Sequence, residues 1–198
     1  MKRLPIGILG SGKGSNCRAI LERIRSGRLT AEARVVISDV IDAPILDIAR
    51  EFSVPNAYLP PGQFRTRLEP EVENELVKML RDAGVYLLIL AGFMRVLHAP
   101  MLTAFPQRII NIHPSLLPKF AGLEAWKQAL AAGETVTGCT VHFVDEEVDH
   151  GQIIARREVA ILPHDTPETL HGRIQIAAHE LYPAAIAELC EKYAAPDL

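Results

Sequence analysis

Short apolar runs alternate along the chain with segments whose apolar residues recur every three or four positions. That alternation predicts an α/β fold with a mostly parallel, open sheet. Strands are predicted at Leu4–Leu9, Arg34–Ser38, Tyr86–Ala91, Arg108–Ile112 and Gly138–Val144, with a mixed segment at Gln152–Leu162. Val54–Leu59 is a weaker candidate, because Pro55 removes a ladder donor. Cys17, Ile20, Leu21 and Ile24 trace one face of a first helix, with Ser15 as a candidate N-cap and Gly27 as a stop. Ile45, Ile48, Ala49 and Phe52 repeat the pattern after Asp42 and Pro44, and a third helix is predicted from Glu71 to Asp82. In the last helix Thr166 caps, Pro167 takes the first helical position, and Leu170, Ile174, Ala177 and Leu181 form the inner stripe. Pro183 predicts a kink there, since it deprives the carbonyl of His179 of its usual partner. No repeat or linker divides the chain, so one domain is expected over residues 1–198, with a Rossmann-like N-terminal half.

Composition narrows the class without changing the picture. Hydrophobic residues make up 48% and charged residues 23% of 198 residues, ordinary values for a globular domain. A net charge of −3 gives no general attraction for nucleic acid or an anionic membrane, so an anionic ligand has to be held by local groups. Cys17, Cys139 and Cys190 are far apart and odd in number, which fits a reducing cytosol better than a disulfide framework or a zinc site. The start Met1–Gly7 has no signal-peptide run, and Val85–Ala91 is cut short by Gly92 and Arg95, so a cytoplasmic protein is expected.

The loop Gly7-Ile8-Leu9-Gly10-Ser11-Gly12-Lys13-Gly14-Ser15-Asn16 joins the first strand to the first helix. From Gly7 it matches the start of a P-loop, but Gly14 stands where a magnesium-binding hydroxyl is needed. From Gly10 it is a near miss to the dinucleotide fingerprint, with Asp39 as the ribose ligand of that reading. A third reading needs less: the N–H groups of Gly14, Ser15 and Asn16 open a helix and suit a phosphate monoester.

Arg108–His113 reads as a buried strand ending at Pro114, and alternation puts Asn111 and His113 on one side. An amide and an imidazole at a strand's carboxyl end form an oxyanion and proton-transfer pair. The same pair can serve structure alone, and spacing leaves the two readings even. Asp145–Gly151 lacks calcium-loop spacing and no His/Cys set has metal-site spacing, so no metal is expected. His98, His142, His150, His164, His171 and His179 are scattered and read as surface or structural, and Trp126 as packing.

Asn111-Ile112-His113-Pro114-Ser115-Leu116-Leu117-Pro118 is similar to the signature of the folate-dependent formyltransferases. Ala91–Leu97 upstream and Gly138–Val144 with Asp149 downstream follow in that family's order, and the resemblance runs nearly end to end. It implies a formyltransferase-type fold and transfer of a formyl group from 10-formyltetrahydrofolate to the amine of glycinamide ribonucleotide. In this family the folate is a co-substrate, and no tightly bound cofactor is implied. Asn111, His113 and Asp149 match the catalytic trio, and Gly14, Ser15 and Asn16 the phosphate loop. Met94, Arg95, Val96 and Leu97, with Asp145, Glu146, Glu147 and Val148, match the folate site, and Arg67 a further folate contact across a gap. Small molecules are the expected partners, with no nucleic acid and no membrane, and a homodimer is compatible with the resemblance.

One departure stands out. The family usually places a ribose-binding Glu immediately before the His of the last helix, where this chain has Ala178, with Gln175 on a similar face. Two rival readings share the core: a deformylase using water as acceptor, and a transferase acting on methionyl-tRNA. The first normally carries an extra N-terminal domain and the second an extra C-terminal one, so neither is expected here. A nucleotide-binding regulatory module would use the glycine loop but not Asn111, His113 and Asp149 together.

Overall fold

The computed structural model describes residues 3–193. In chain order the elements are β1 Leu4–Leu9, α1 Ser15–Arg25, β2 Ala31–Ser38, α2 Pro44–Glu51, β3 Asn56–Tyr58, α3 Pro70–Asp82, β4 Leu87–Leu90, α4 Ala99–Ala104, β5 Ile109–His113, α5 Ala125–Ala131, β6 Val136–Phe143, β7 Ile153–Ala160 and α6 Pro167–Tyr193. One seven-stranded sheet has the order β3-β2-β1-β4-β5-β6-β7. The pairings are parallel from β3 through β5, then antiparallel from β5 to β6 and β6 to β7. The α/β expectation therefore holds, with a mixed sheet whose change of direction falls at β5.

Sequence pattern explains most boundaries. β3 begins immediately after Pro55, whose carbonyl accepts from Val36 N–H at 2.9 Å, so the proline stays outside the ladder of an edge strand. β2 starts at Ala31, earlier than expected, because that residue pairs with Leu4 across a register shift. Ser15 is not the N-cap of α1. Gly14 takes that place at φ 72°, and a Cβ there would lie 2.9 Å from the Ile45 Cα, so the turn needs glycine twice over. Thr166 does cap α6: its Oγ1 accepts from Thr169 N–H at 3.3 Å while Thr169 Oγ1 accepts from Thr166 N–H at 2.9 Å. The short helices α4 and α5 carry too few periodic residues to have been predicted.

Two large apolar clusters lie on the two faces of the sheet, one reaching α1, α2 and α6 and the other α3 and α4. A smaller one joins Cys139 to Leu170, Ile174, Ala177 and Ala178. α6 runs on through Pro183, and its buried stripe departs from expectation at Leu181, which is half-buried, continuing instead through Tyr182, Ile186 and Leu189. The fully buried Tyr182 hydroxyl lies 3.0 Å from both the Leu90 and Ile110 carbonyls, which pins α6 across β4 and β5. No helix among the described residues is long and apolar enough to cross a membrane.

Gly151, where the chain enters β7, permits a close backbone approach: a Cβ there would sit 1.9 Å from the Phe143 carbonyl oxygen. At Gly12 nothing lies within 4 Å of an added Cβ. Gly151→Ala is therefore expected to destabilise by about 1–3 kcal/mol, and Gly12→Ala to stay within about 0.5 kcal/mol of the parent. Urea midpoints measure both. Equal midpoints for the two variants would contradict the packing described for the β6–β7 turn.

Candidate active site

β5 carries the site because it is a central strand whose side chains alternate between two chambers. Asn111 pairs with His142 of β6 and His113 with Thr140, so these four project from one face of the sheet. Thr140 Oγ1 donates to the Ser115 carbonyl at 2.7 Å and accepts from Leu117 N–H at 3.1 Å, fixing the chain as it leaves β5. Beyond β6 the acidic run folds into an exposed turn in which Glu147 N–H meets Asp145 Oδ1 at 3.0 Å. That turn delivers Asp149, held at φ 57°, to the histidine. A left-handed non-glycine backbone costs roughly 1–2 kcal/mol, so its surroundings must hold it there.

The structure brings the three expected residues together and adds a fourth. His113 Nδ1 lies 3.2 Å from Asp149 Oδ2, with both side chains nearly covered. His113 Nε2 lies 2.9 Å from the Phe120 carbonyl oxygen, so each ring nitrogen faces an oxygen. Asp149 Oδ2 also accepts from Gly122 N–H at 2.9 Å. Asn111 reaches the aspartate indirectly: its Nδ2 is 3.4 Å from His142 Nε2, which stands 3.7 Å from Asp149 Oδ1. His142 was expected to be surface or structural, yet it is 2% exposed and belongs to this network. Only the antiparallel register reveals this, by placing it opposite Asn111.

Electrostatics separate the roles. Burial pushes the His142 imidazole below its ordinary value, against the opposing pull of the Phe143 carbonyl and the Asp149 carboxylate. Its Nδ1 lies 2.8 Å from the Phe143 carbonyl oxygen, so Nδ1 carries the proton of the neutral ring and Nε2 accepts from Asn111. That contact orients the amide. For Asp149 burial acts to raise the carboxyl, but the His113 bond and charge, the Gly122 N–H and His142 together hold it below the usual carboxylate value. The result is a carboxylate beside a histidine with an amide donor alongside. Among the described residues, no group of three or more His, Cys, Asp or Glu side chains is placed to hold a metal ion.

A cavity of about 340 Å³ opens beside this centre, lined by Gly12–Asn16, Ala91, Gly92, Met94, Ile112, Pro114, Trp126, Cys139, His171, Ile174, Gln175 and Ala178. Ile112 lines it while Asn111 and His113 do not, as strand alternation requires. The cavity and the chamber of Asn111 and His113 therefore lie on opposite faces of β5. Gly14, Ser15 and Asn16 all reach it, and Asn16 Oδ1 is buried there without a protein partner. Trp126, expected to be packing, and His171, expected to be surface or structural, both form its wall.

Asp39 does not face a ribose. Its carboxylate accepts from Ser11 Oγ at 2.5 Å and from Arg95 Nε at 2.6 Å, and the residue is 4% exposed. Ser11 Oγ in turn accepts from Met94 N–H at 2.9 Å, which ties the loop after β4 to the glycine loop. Arg67 bridges to Val96 in parallel, which places it beside Met94, Arg95, Val96 and Leu97. Among the described residues, no hydrogen bond or ion pair joins that loop to the turn Asp145–Val148.

Comparison with known proteins meets this geometry. The chain is 39% identical over 182 residues to phosphoribosylglycinamide formyltransferase of Bacillus subtilis, covering 92% of each. It is 40% identical to the human trifunctional purine biosynthetic protein adenosine-3, but spans only 18% of that protein's length. The crystal structure of glycinamide ribonucleotide transformylase 1 from Symbiobacterium toebii superposes with a TM-score of 0.92 at 46% identity, over 96% of this chain and 89% of that one. The formyl transferase family profile matches residues 4–186, and with this fold and this strand-end constellation the chain belongs to the formyl transferase family.

Proposed function

We propose that this protein transfers the formyl group of 10-formyltetrahydrofolate to the amine of glycinamide ribonucleotide, in the cytoplasm, with the whole chain acting as one formyltransferase domain. The observation that carries this reading is the pairing of His113 with Asp149 at the end of β5, next to a cavity lined by backbone-rich Gly14, Ser15 and Asn16. In this reading the ribonucleotide phosphate rests on the N–H groups at the start of α1. The sugar then lies along Ile112 and α6, and the amine passes the end of β5 toward His113. The folate takes the other side, against Met94, Val96 and Leu97, with Arg67 beside them and the Asp145–Val148 turn across from them. Arg95 acts by bracing its loop on Asp39.

The chemistry follows from the side chains. The amine nitrogen attacks the formyl carbon, a new C–N bond forms, and the carbonyl oxygen takes the electron pair as an oxyanion. Asn111 Nδ2–H and a His113 N–H donate to that oxygen, and such preorganised donors act most strongly where water is excluded. The attacking nitrogen loses a proton, N10 of the folate gains one, and the C–N10 bond breaks to release tetrahydrofolate. Asp149 keeps His113 oriented and balances its charge during the transfer. The Phe120 carbonyl, which faces His113 Nε2, gives way when that nitrogen turns to the substrate.

Hydrolysis to formate is the nearest rival, since water fits any amine position. The cavity, with room for more than a phosphate and with the N–H groups of Gly14, Ser15 and Asn16 at its edge, argues for a phosphorylated acceptor. An assay with 10-formyltetrahydrofolate is expected to show tetrahydrofolate release that depends on glycinamide ribonucleotide. Equal release without it would establish a hydrolase and end this reading.

His113→Ala and Asp149→Asn are each expected to lower turnover by about 10²-fold or more while the fold is retained. His142→Leu, which leaves the Asn111 amide unpaired, is expected to lower kcat about tenfold with folate affinity little changed. Turnover near wild type in any of the three removes that residue from the catalytic network.

Gly14→Val is expected to weaken ribonucleotide binding more than Lys13→Ala does, because a Cβ at Gly14 collides with Ile45 and moves the cradle. Folate titrations on the same variants separate this local effect from unfolding. A larger loss from Lys13→Ala would show that side-chain charge, not backbone approach, holds the phosphate.

A further inference from the structure

Nothing in the reaction as described uses Trp126 and His171. Trp126 lies in the first turn of α5 and His171 in the second turn of α6. Their rings are stacked, with centroids 3.9 Å apart and planes 9° from parallel. Both rings are half-buried and both line the cavity that Gly14, Ser15 and Asn16 enter. Among the described residues no hydrogen bond engages either nitrogen of the His171 ring. His171, Gln175 and Ala178 share one face of α6 at i, i+4 and i+7, so the imidazole stands two turns along the wall from Ala178.

We infer that His171, held flat against Trp126, is a substrate-contact residue whose ring N–H meets the phosphate monoester of the ribonucleotide from the α6 side, and that binding draws a proton onto this ring. The inference rests on the ribonucleotide reading above and adds to it a specific residue and a proton. A stacked ring has its faces covered or blocked and presents its edge, where the nitrogens are, to the cavity. Burial, and then the charge of Lys13, push this imidazole below its ordinary value, so it stands neutral near pH 7. A phosphate dianion reverses both effects: it supplies an acceptor for the ring N–H and offsets Lys13. The indole face adds its own preference for a cation.

The other groups around the ring do not compete. On α5, Lys127 is paired with Glu124 at 2.5 Å and acts on Glu168 instead of on the imidazole. From β6 comes the Cys139 thiol, which burial pushes up to about 11 and keeps neutral. On α6 itself Gln175 is uncharged, and Arg173 is engaged with Asp165.

The sign follows directly. The bound ring holds its proton to a higher pH than the free ring does. Below the free value the ring is charged in both states and affinity is greatest. Between the two values binding takes up a proton and affinity falls as pH rises, by at most about tenfold per pH unit for one proton. Above the bound value the contribution is gone. Ionisation of the phosphate itself, near pH 6, favours binding in the opposite direction, but it is common to every variant and cancels in a ratio.

The test is isothermal titration of glycinamide ribonucleotide, and of its dephosphorylated riboside, into wild type, His171→Asn and Trp126→Leu between pH 5.5 and 8.5 (about three units, set by the ordinary His value). His171→Gln is the second variant if the first does not fold, with folate affinity as the control for a native site. The expected ribonucleotide Kd ratio of His171→Asn to wild type is about tenfold or more at the acid end, falling toward one at the alkaline end. The riboside ratio is expected to stay near one throughout. Trp126→Leu is expected to lose part of the acid-side affinity. A ratio that does not change with pH, or a riboside that loses as much as the ribonucleotide, overturns the inference. A wild type that binds no ribonucleotide overturns the functional reading with it, whereas binding and transfer with a flat ratio overturn the His171 role alone.

Discussion

The site depends on β5 being held on both sides. Its backbone pairs in parallel with β4 and in antiparallel with β6, so it has no freedom to rotate and its alternation becomes a fixed partition. Asn111 and His113 go to the chamber that holds Asp149, and Ile112 goes to the cavity beside α6. A slip of one residue would exchange the two sets and place aliphatic groups at the reacting centre. The Tyr182 hydroxyl, lodged against the carbonyls of Leu90 and Ile110, secures the same strand from the face opposite the catalytic pair. Under the proposed function one substrate is anchored on one face and reacts at the other by passing the strand's carboxyl end.

The change from parallel to antiparallel at β5 has an electrostatic consequence. It sets His142 opposite Asn111 and lets the chain after β6 return as the turn that ends in Asp149. Two histidines thus flank one carboxylate but in different states. His142 is kept neutral by burial and its Nδ1 contact to the Phe143 carbonyl. His113 has an oxygen at each nitrogen. A cationic His142 would compete for the same carboxylate, so the neutrality of His142 is what leaves Asp149 to His113.

How legible this was depends on what each feature rests on. The five main strands, the first three helices and the cap at Thr166 are local patterns of period and turn chemistry, and they were readable. The start of β2 was not, because Ala31 joins its strand through pairing with Leu4 and not through its own sequence. Ser15 read as a cap by residue type, whereas the left-handed turn and the proximity of Ile45 gave that place to Gly14. Asn111, His113 and Asp149 were found through resemblance, since spacing alone left a structural reading open. His142 and the Trp126–His171 stack were missed for one reason: each becomes a site residue through a partner on another element, at a register or crossing no local window contains.

The departure at Ala178 is intelligible in the same terms. The residue lies 5% exposed in an apolar cluster with Cys139, Leu170, Ile174 and Ala177, at the inner wall of the cavity. A glutamate there would bring a charge against that cluster, and a buried carboxylate is tolerated only when fully hydrogen-bonded. With alanine the wall stays apolar at that depth, and the polar side chains that line the cavity from this face of α6 are Gln175 and His171, nearer the N-terminus of the helix. Seven residues of helix is roughly 10 Å, so the polar edge moves from the inner wall toward the phosphate end. In the proposed reading such a site depends less on the sugar hydroxyls and more on the anion, held by the N–H groups of the glycine loop. The family's chemistry is then kept on one face of β5 while the grip on the acceptor is redistributed on the other.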